Sequence, residues 1–182
     1  SLVGRYKIIL NRINTIGGDN YLGFDTKIVN MGSITLKGHV SIRPHSYIYT
    51  NCQTATIEIG KGSDIGNAST ITCMNKLVIG NYVLTGPHIF ILDHNHDYMD
   101  ITRPIILQGA KMNDSDSVFI GDGSWIGTNV VVVGNVHIGK HCVIGANSVV
   151  TKNIPDYSIA VGVPATVVKK YDFIENKWIR IK

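Results

Sequence analysis

Charge is scarce in this sequence. Asp, Glu, Lys and Arg make up 16% of its 182 residues, against roughly 25% in an average soluble domain. The net charge of +4 is too mild to argue for nucleic acid, although it suits a small anionic ligand. No block of like charge suggests a disordered arm. Cysteine is scarce too. Cys52, Cys73 and Cys142 are odd in number, widely spaced and form no CxxC. That pattern excludes a disulfide framework and makes a reducing, cytoplasmic setting the expectation. No apolar run approaches about 18 residues, so no transmembrane segment is expected. Residues 5–10 are far too short to span, and no charged-then-apolar leader opens the chain.

What is present is a repeat, and its period is six. Ile120, Ile126, Val132, Ile138, Ile144 and Val150 stand six residues apart, and glycine follows four of them at Gly121, Gly127, Gly139 and Gly145. Four residues after the leads come Ser124, Val130, Val136, Cys142 and Ser148, all small or β-branched. Leu36, Ile42 and Ile48 open the same pattern earlier, with Val40, Ser46 and Cys52 in the small slots. Ile59, Ile65 and Ile71 repeat it with Ser63 and Ser69, and Ile79 starts a further run through Thr85 to Ile91, out of phase with the last.

Side chains of a strand alternate with period two. Six residues therefore make one short strand and one sharp corner, with the lead and the small residue pointing in and the residue before each lead pointing out. Glycine after the lead permits the tight backbone. Three such sides close a triangular coil of 18 residues, and coils stack as parallel strands about 4.8 Å apart. The expectation is an all-β, three-sided parallel β-helix. Six consecutive leads in phase argue against a β-sandwich with chance spacing. An N-terminal capping segment is expected over residues 1–33, the β-helix over 34–155 and a C-terminal cap over 156–182, which would cover open strand edges.

The repeat stops at His96 and resumes near Val118. A loop of this length, residues 97–117, is usually functional or disordered. Its Ile101, Ile105, Ile106 and Leu107 suggest that it packs on something, such as a neighbouring subunit. The densest polar cluster, Asp93-His94-Asn95-His96-Asp97, sits at its lip. Counting from Ile91, position 95 is an inward slot and His96 points out. An unperturbed imidazole titrates near pH ~6.5, which suits a general base. A surface histidine of no consequence is the bland alternative. Asp93, His94 and His96 could also hold a metal, with His137 and His141 elsewhere, but a lone His-x-His is weak and no metal is expected. Trp125 precedes a lead and points out, toward a ligand or another chain. Lys152, Lys169 and Lys170 would suit phosphates. Cys52 and Cys142 fill small inward slots as small hydrophobes.

Residues 34–170 resemble the left-handed β-helix hexapeptide-repeat acyltransferases, in particular the maltose and galactoside O-acetyltransferase group and its relatives in polysaccharide biosynthesis. The matching stretches are residues 79–84, 91–96, 120–127 and 143–152, ending in Gly162-Val163-Pro164-Ala165. The resemblance implies left-handedness, a homotrimer with clefts between subunits, and acetyl-CoA as donor. It implies that His96 is the catalytic base, that Trp125, Gly127 and Thr128 line the pantetheine arm, and that Ala146, Thr151 and Lys152 form the coenzyme A wall. Lys169 replaces an arginine that meets the phosphates in some members, and Thr166 stands where another is found. Asn67 lies one residue off a sugar-contacting asparagine, and Asp93, His94 and Asn95 flank the acceptor. An N–H of Gly127 or Thr128 would hold the oxyanion, and Asp93, Asn95 or a backbone carbonyl would orient His96. A sugar hydroxyl is the expected acceptor. A streptogramin-type antibiotic acetyltransferase, a γ-class carbonic anhydrase with three histidines on zinc, and a non-enzymatic scaffold are the alternatives.

Overall fold

The computed structural model describes residues 12–181. The hexads become strands of two to four residues arranged on three faces. The first face stacks Asn14–Thr15, Ser33–Leu36, Thr56–Ile59, Lys76–Ile79, Ser117–Ile120 and Val136–Ile138. The second stacks Tyr21–Leu22, Ser41–Ile42, Asp64–Ile65, Leu84–Thr85, Trp125–Ile126, Val143–Ile144 and Ser158–Val161. The third stacks Lys27–Asn30, Tyr47–Thr50, Thr70–Cys73, Phe90–Leu92, Val131–Val133 and Val149–Val150. The chain visits the faces in that order, so each round is one coil, and neighbouring coils pair in parallel. This is a three-sided parallel β-solenoid.

Like residues meet from coil to coil. Leu36, Ile59, Ile79, Ile120 and Ile138 are successive partners on the first face. Ile28, Ile48, Ile71, Ile91, Val132 and Val150 are successive partners on the third. Nearly all of these side chains are buried, and the leads from Ile120 to Val150 are at most 1% exposed. Burying one such aliphatic side chain contributes about 1.5–3 kcal/mol, so the ladders are the core. The small inward serines serve the corners. Ser63 Oγ donates to Gly80 O at 2.8 Å and accepts from Val83 N at 3.0 Å. Ser124 Oγ does the same toward Gly139 O and Cys142 N, at 3.0 Å each. Among the described residues no buried side-chain N or O lacks a partner.

Two departures from the hexad count have one cause. The corner from the third face to the next coil's first face varies in length, with Ile59 eleven residues after Ile48, Ile79 eight after Ile71 and Ile138 six after Val132, so counting by six fails across it in the earlier coils. Cys52 falls in that corner and is only half-buried, while Thr50 takes the inward slot. Position 95 is not inward either: Asp93 fills that slot and Asn95 is exposed. The strands between Asn14 and Asn30 pair in parallel with the next coil, so the solenoid begins ahead of residue 34. Residues 1–11 of the expected N-terminal cap lie outside the described residues.

The corner between the first and second faces carries a column of left-handed backbone. Gly18, His39, Gly62, Tyr82, Gly123 and His141 all have positive φ. The rings of His39, Tyr82 and His141 lean on Gly18, Gly62 and Gly123 of the preceding coils. At Gly62, φ is +70° and a Cβ would meet the Tyr82 ring at 2.6 Å. Because Tyr82 is exposed and can swing aside, Gly62→Ala is expected to lose about 1–2 kcal/mol, chiefly to the left-handed backbone. Denaturant melts of the two proteins measure it.

After Ser158–Val161 the chain reverses. Thr166–Asp172 and Lys177–Arg180 add antiparallel strands to the second face. This tail prolongs one wall and moves the open edge outward to a strand that begins with Lys177 and ends with Arg180. Among the described residues no helix is long and apolar enough to cross a membrane.

Candidate active site

The candidates fall on two edges of the triangle. The long excursion leaves the third-to-first edge after Phe90–Leu92. It forms a small hairpin in which Asn95–His96 pairs antiparallel with Ala110–Lys111, closed by a turn over Ile105–Leu107. The coils on either side close up as though it were absent, with Ile79 opposite Ile120. Within the excursion Gln108 Nε2 donates to Asp100 O and Arg103 O, at 2.8 and 2.9 Å. Asp100 Oδ1 accepts from the Thr102 hydroxyl at 2.6 Å. Its apolar residues stay exposed, Ile101 at 96% and Ile106 at 85%.

The lip of this excursion holds the polar cluster. His96 is exposed on its strand. Its backbone N–H donates to Asn95 Oδ1 at 2.9 Å, so Asn95 holds the main chain at His96. Asp93 is wholly buried, and its partner is His94, whose Nδ1 lies 2.9 Å from Asp93 Oδ1. The Met74 and Asn75 N–H groups donate to Asp93 at 2.9 and 2.8 Å, and the Cys73 thiol at 3.2 Å. Burial pushes this carboxyl up, but the bonds from His94, Met74, Asn75 and Cys73 outweigh burial and hold it below the usual carboxylate range. Burial first, then the Asp93 charge and bond, push the Cys73 thiol far up. Burial pushes the Cys142 thiol up as well. Thiols kept protonated and buried react slowly. A disulfide reagent is therefore expected to titrate only Cys52 in the native protein within minutes, and all three thiols in denaturant.

The second-to-third edge holds most of the expected donor-binding residues. Trp125 is 52% exposed and lies between Leu84 and Val143 of the flanking coils. Gly127 and Thr128 turn the corner beside it, and Ala146 is exposed one coil on. Gly127 fits closely, since a Cβ there would meet Ala146 N at 2.6 Å. The Gly127 N–H is already spent on Ile144 O at 2.8 Å, so of the two expected oxyanion donors only Thr128 stays a candidate. Asn67 stands on the same edge, in a groove with Arg43, Asp64, Leu84, Thr85, Pro87 and His88. Arg43 Nε donates to Asp64 Oδ1 at 2.9 Å. The sequence reading missed Arg43 and His88, which carry no mark of their own; only the stacking of corners brings them to Asn67.

Thr151 and Lys152 are exposed on the third-to-first edge, two coils beyond the lip, so the fold does not join them to Trp125. Lys169 lies in the tail opposite Arg180, and the two line a shallow cleft with Val167, Val168 and Ile181. Arg180 was also missed; it becomes a partner of Lys169 only through the register of the tail. Among the described residues no three of His, Cys, Asp and Glu converge as a metal set.

Residues 117–152, the coils that carry Trp125, match the model described as the bacterial transferase hexapeptide, six repeats. The chain carries the transferase hexapeptide repeat. It is 37% identical over 164 residues to a protein of Mycobacterium tuberculosis named as a probable acetyltransferase, a match spanning 79% of this chain and 53% of that one. It is 34% identical over 122 residues to a galactoside O-acetyltransferase of Lactococcus lactis, spanning 67% of this chain and 56% of the other. The chain thus spans about half the length of these curated relatives. Its fold is that of AntD, an N-acyltransferase from Bacillus cereus, in a mutant solved with dTDP and coenzyme A. The TM-score is 0.75 at 18% identity, covering 94% of this chain and 90% of that one.

Proposed function

We propose that this chain transfers an acetyl group from acetyl-CoA to a sugar hydroxyl in surface-polysaccharide synthesis, in the cytoplasm. The observation that carries the reading is the transferase hexapeptide interrupted by one excursion whose lip bears two histidines, beside coils that present Trp125 and the Thr128 corner. Acetyltransferase relatives, one of them acting on galactosides, and a fold neighbour holding coenzyme A and dTDP support it. Trp125, Gly127 and Thr128 line the pantetheine arm, with Ala146 one coil on; Thr151 and Lys152, on another edge, join the coenzyme A wall from a neighbouring copy, and Lys169 of the tail meets the phosphates.

The lip and Trp125 stand on different edges with the third face between them. A site that uses both is completed by a second copy, which favours a homotrimer with intersubunit clefts. The acceptor oxygen attacks the thioester carbonyl, a lip imidazole takes its proton, and the Thr128 N–H faces the oxyanion. A positioned base contributes about 10²–10⁴-fold and one oxyanion donor about 3–4 kcal/mol. The resemblance gives the base role to His96; His94 is the other imidazole of the lip.

The test is coenzyme A release from acetyl-CoA across sugars, amino sugars and sugar nucleotides. The wild type should release it with one acceptor class, and the double variant His94→Gln/His96→Gln should be at least a hundredfold slower. Hydroxylamine should cleave the product, as it cleaves an ester. A resistant product would make this an N-acyltransferase, and equal release by both proteins would remove the lip histidines from the chemistry.

A further inference from the structure

The two imidazoles of the lip are held differently. His94 has its Nδ1 2.9 Å from Asp93 Oδ1, and only 15% of its side chain is exposed. Asp93 is buried, and its four donors keep it ionised at neutral pH. An ionised carboxylate can only accept. The neutral His94 ring must therefore carry its proton on Nδ1 and its lone pair on Nε2, the nitrogen turned away from Asp93. Among the described residues no carboxylate lies within ion-pair reach of the His96 ring. Its exposed strand fixes the backbone through Asn95 and leaves the ring tautomer unassigned.

We propose that His94 is the catalytic base of the transfer, with Asp93 as its positioning residue and His96 as an acceptor-binding residue of the same lip. This rests on the acyl-transfer reading above. The acceptor O–H proton passes to His94 Nε2 as the oxygen bonds to the thioester carbon. As the carbon–sulfur bond breaks, the same proton passes to the departing sulfur. The products are an ester and the free thiol of coenzyme A, and no other reactant is consumed.

A competing account is structural. Asp93 occupies the inward column above Thr50 and Cys73, and caps the turn at Met74 and Asn75 as Thr50 Oγ1 caps Gly32 N at 2.9 Å. That cap needs the carboxylate but not the imidazole. A purely structural Asp93 therefore predicts that changing His94 leaves turnover alone.

Steady-state kinetics on three single variants separate the accounts, with thermal melts to confirm folding. His94→Gln should lower kcat at least a hundredfold while the KM for acetyl-CoA stays within about twofold. Asp93→Asn should lower kcat by up to about 10⁴, the loss seen when an orienting carboxylate becomes an amide and fixes the wrong tautomer. His96→Gln should act chiefly on the acceptor KM. If Asp93→Asn fails to fold, nitrogen-15 NMR of the wild type replaces it, and His94 should then show protonated Nδ1 and bare Nε2. Wild-type turnover with an unaffected His94→Gln, or a bare Nδ1, would overturn the proposal and leave the acyl-transfer reading standing. A kcat loss confined to His96→Gln would make His96 the base. A wild type that releases coenzyme A with no acceptor would overturn both readings.

Discussion

Ile126→Asp should abolish the cooperative melt, and Ile126→Ala should cost about 2–5 kcal/mol. Ile126 is fully buried. It sits on the second face between Thr85 and Ile144. A carboxylate there has no donor aimed at it, because Ile144 is aliphatic and the Thr85 hydroxyl donates to Gly86 O at 3.1 Å, and an unpaired buried charge costs several kcal/mol. Alanine leaves a void that neighbouring coils close only by shifting their own ladders. In a solenoid each coil touches only its neighbours, so a break at this coil also detaches the tail from the coils that carry the excursion. Urea unfolding followed by circular dichroism measures both variants, and a loss under about 1 kcal/mol for alanine would contradict this account of the core.

Removing the excursion should do the opposite: preserve the fold and silence the chemistry. Asp97 N donates to Gly109 O at 3.0 Å, so residues 98–108 can be replaced by Asn-Gly, which favours a tight hairpin turn. The deleted hydrogen bonds are mostly internal to the segment, and Ile79 remains opposite Ile120. The melting temperature should stay within about 5 °C, little more than 1 kcal/mol for a domain of this size. On the acyl-transfer reading, coenzyme A release should fall at least a hundredfold, although Asp93, His94 and His96 all remain. A shortened protein with full turnover would show that the exposed Ile101 and Ile106 serve something other than the reaction.

The body of the fold was legible because one residue type at one spacing sets it. Ile120 to Val150 read as inward and are inward, and Trp125 reads as outward and is half-exposed. Legibility ended where spacing stops being uniform. Cys52 and position 95 were misplaced because the third-to-first corner has no fixed length. The first coil escaped notice because Thr15 stands where the other coils carry an aliphatic lead, and the next lead, Leu22, follows seven residues later rather than six. At the lip the sequence shows which residues gather but not which pair. That Asp93 bonds His94, while Asn95 turns to a backbone N–H, depends on where the chain leaves the coil, and no count of residues carries that.

The column at the first-to-second corner bears on how such a chain changes length. Its members alternate as far as His141, Gly18 then His39, Gly62 then Tyr82, Gly123 then His141, each ring resting on the glycine before it. The next coil ends the alternation, because Tyr157 also has positive φ and its ring stacks on His141 at 5.5 Å. Removing a coil that carries a glycine would bring two rings together, a pairing this corner already accepts, whereas removing one that carries a ring would set two glycines against each other and leave a gap. As far as this corner is concerned, the coils most readily lost are those with a glycine.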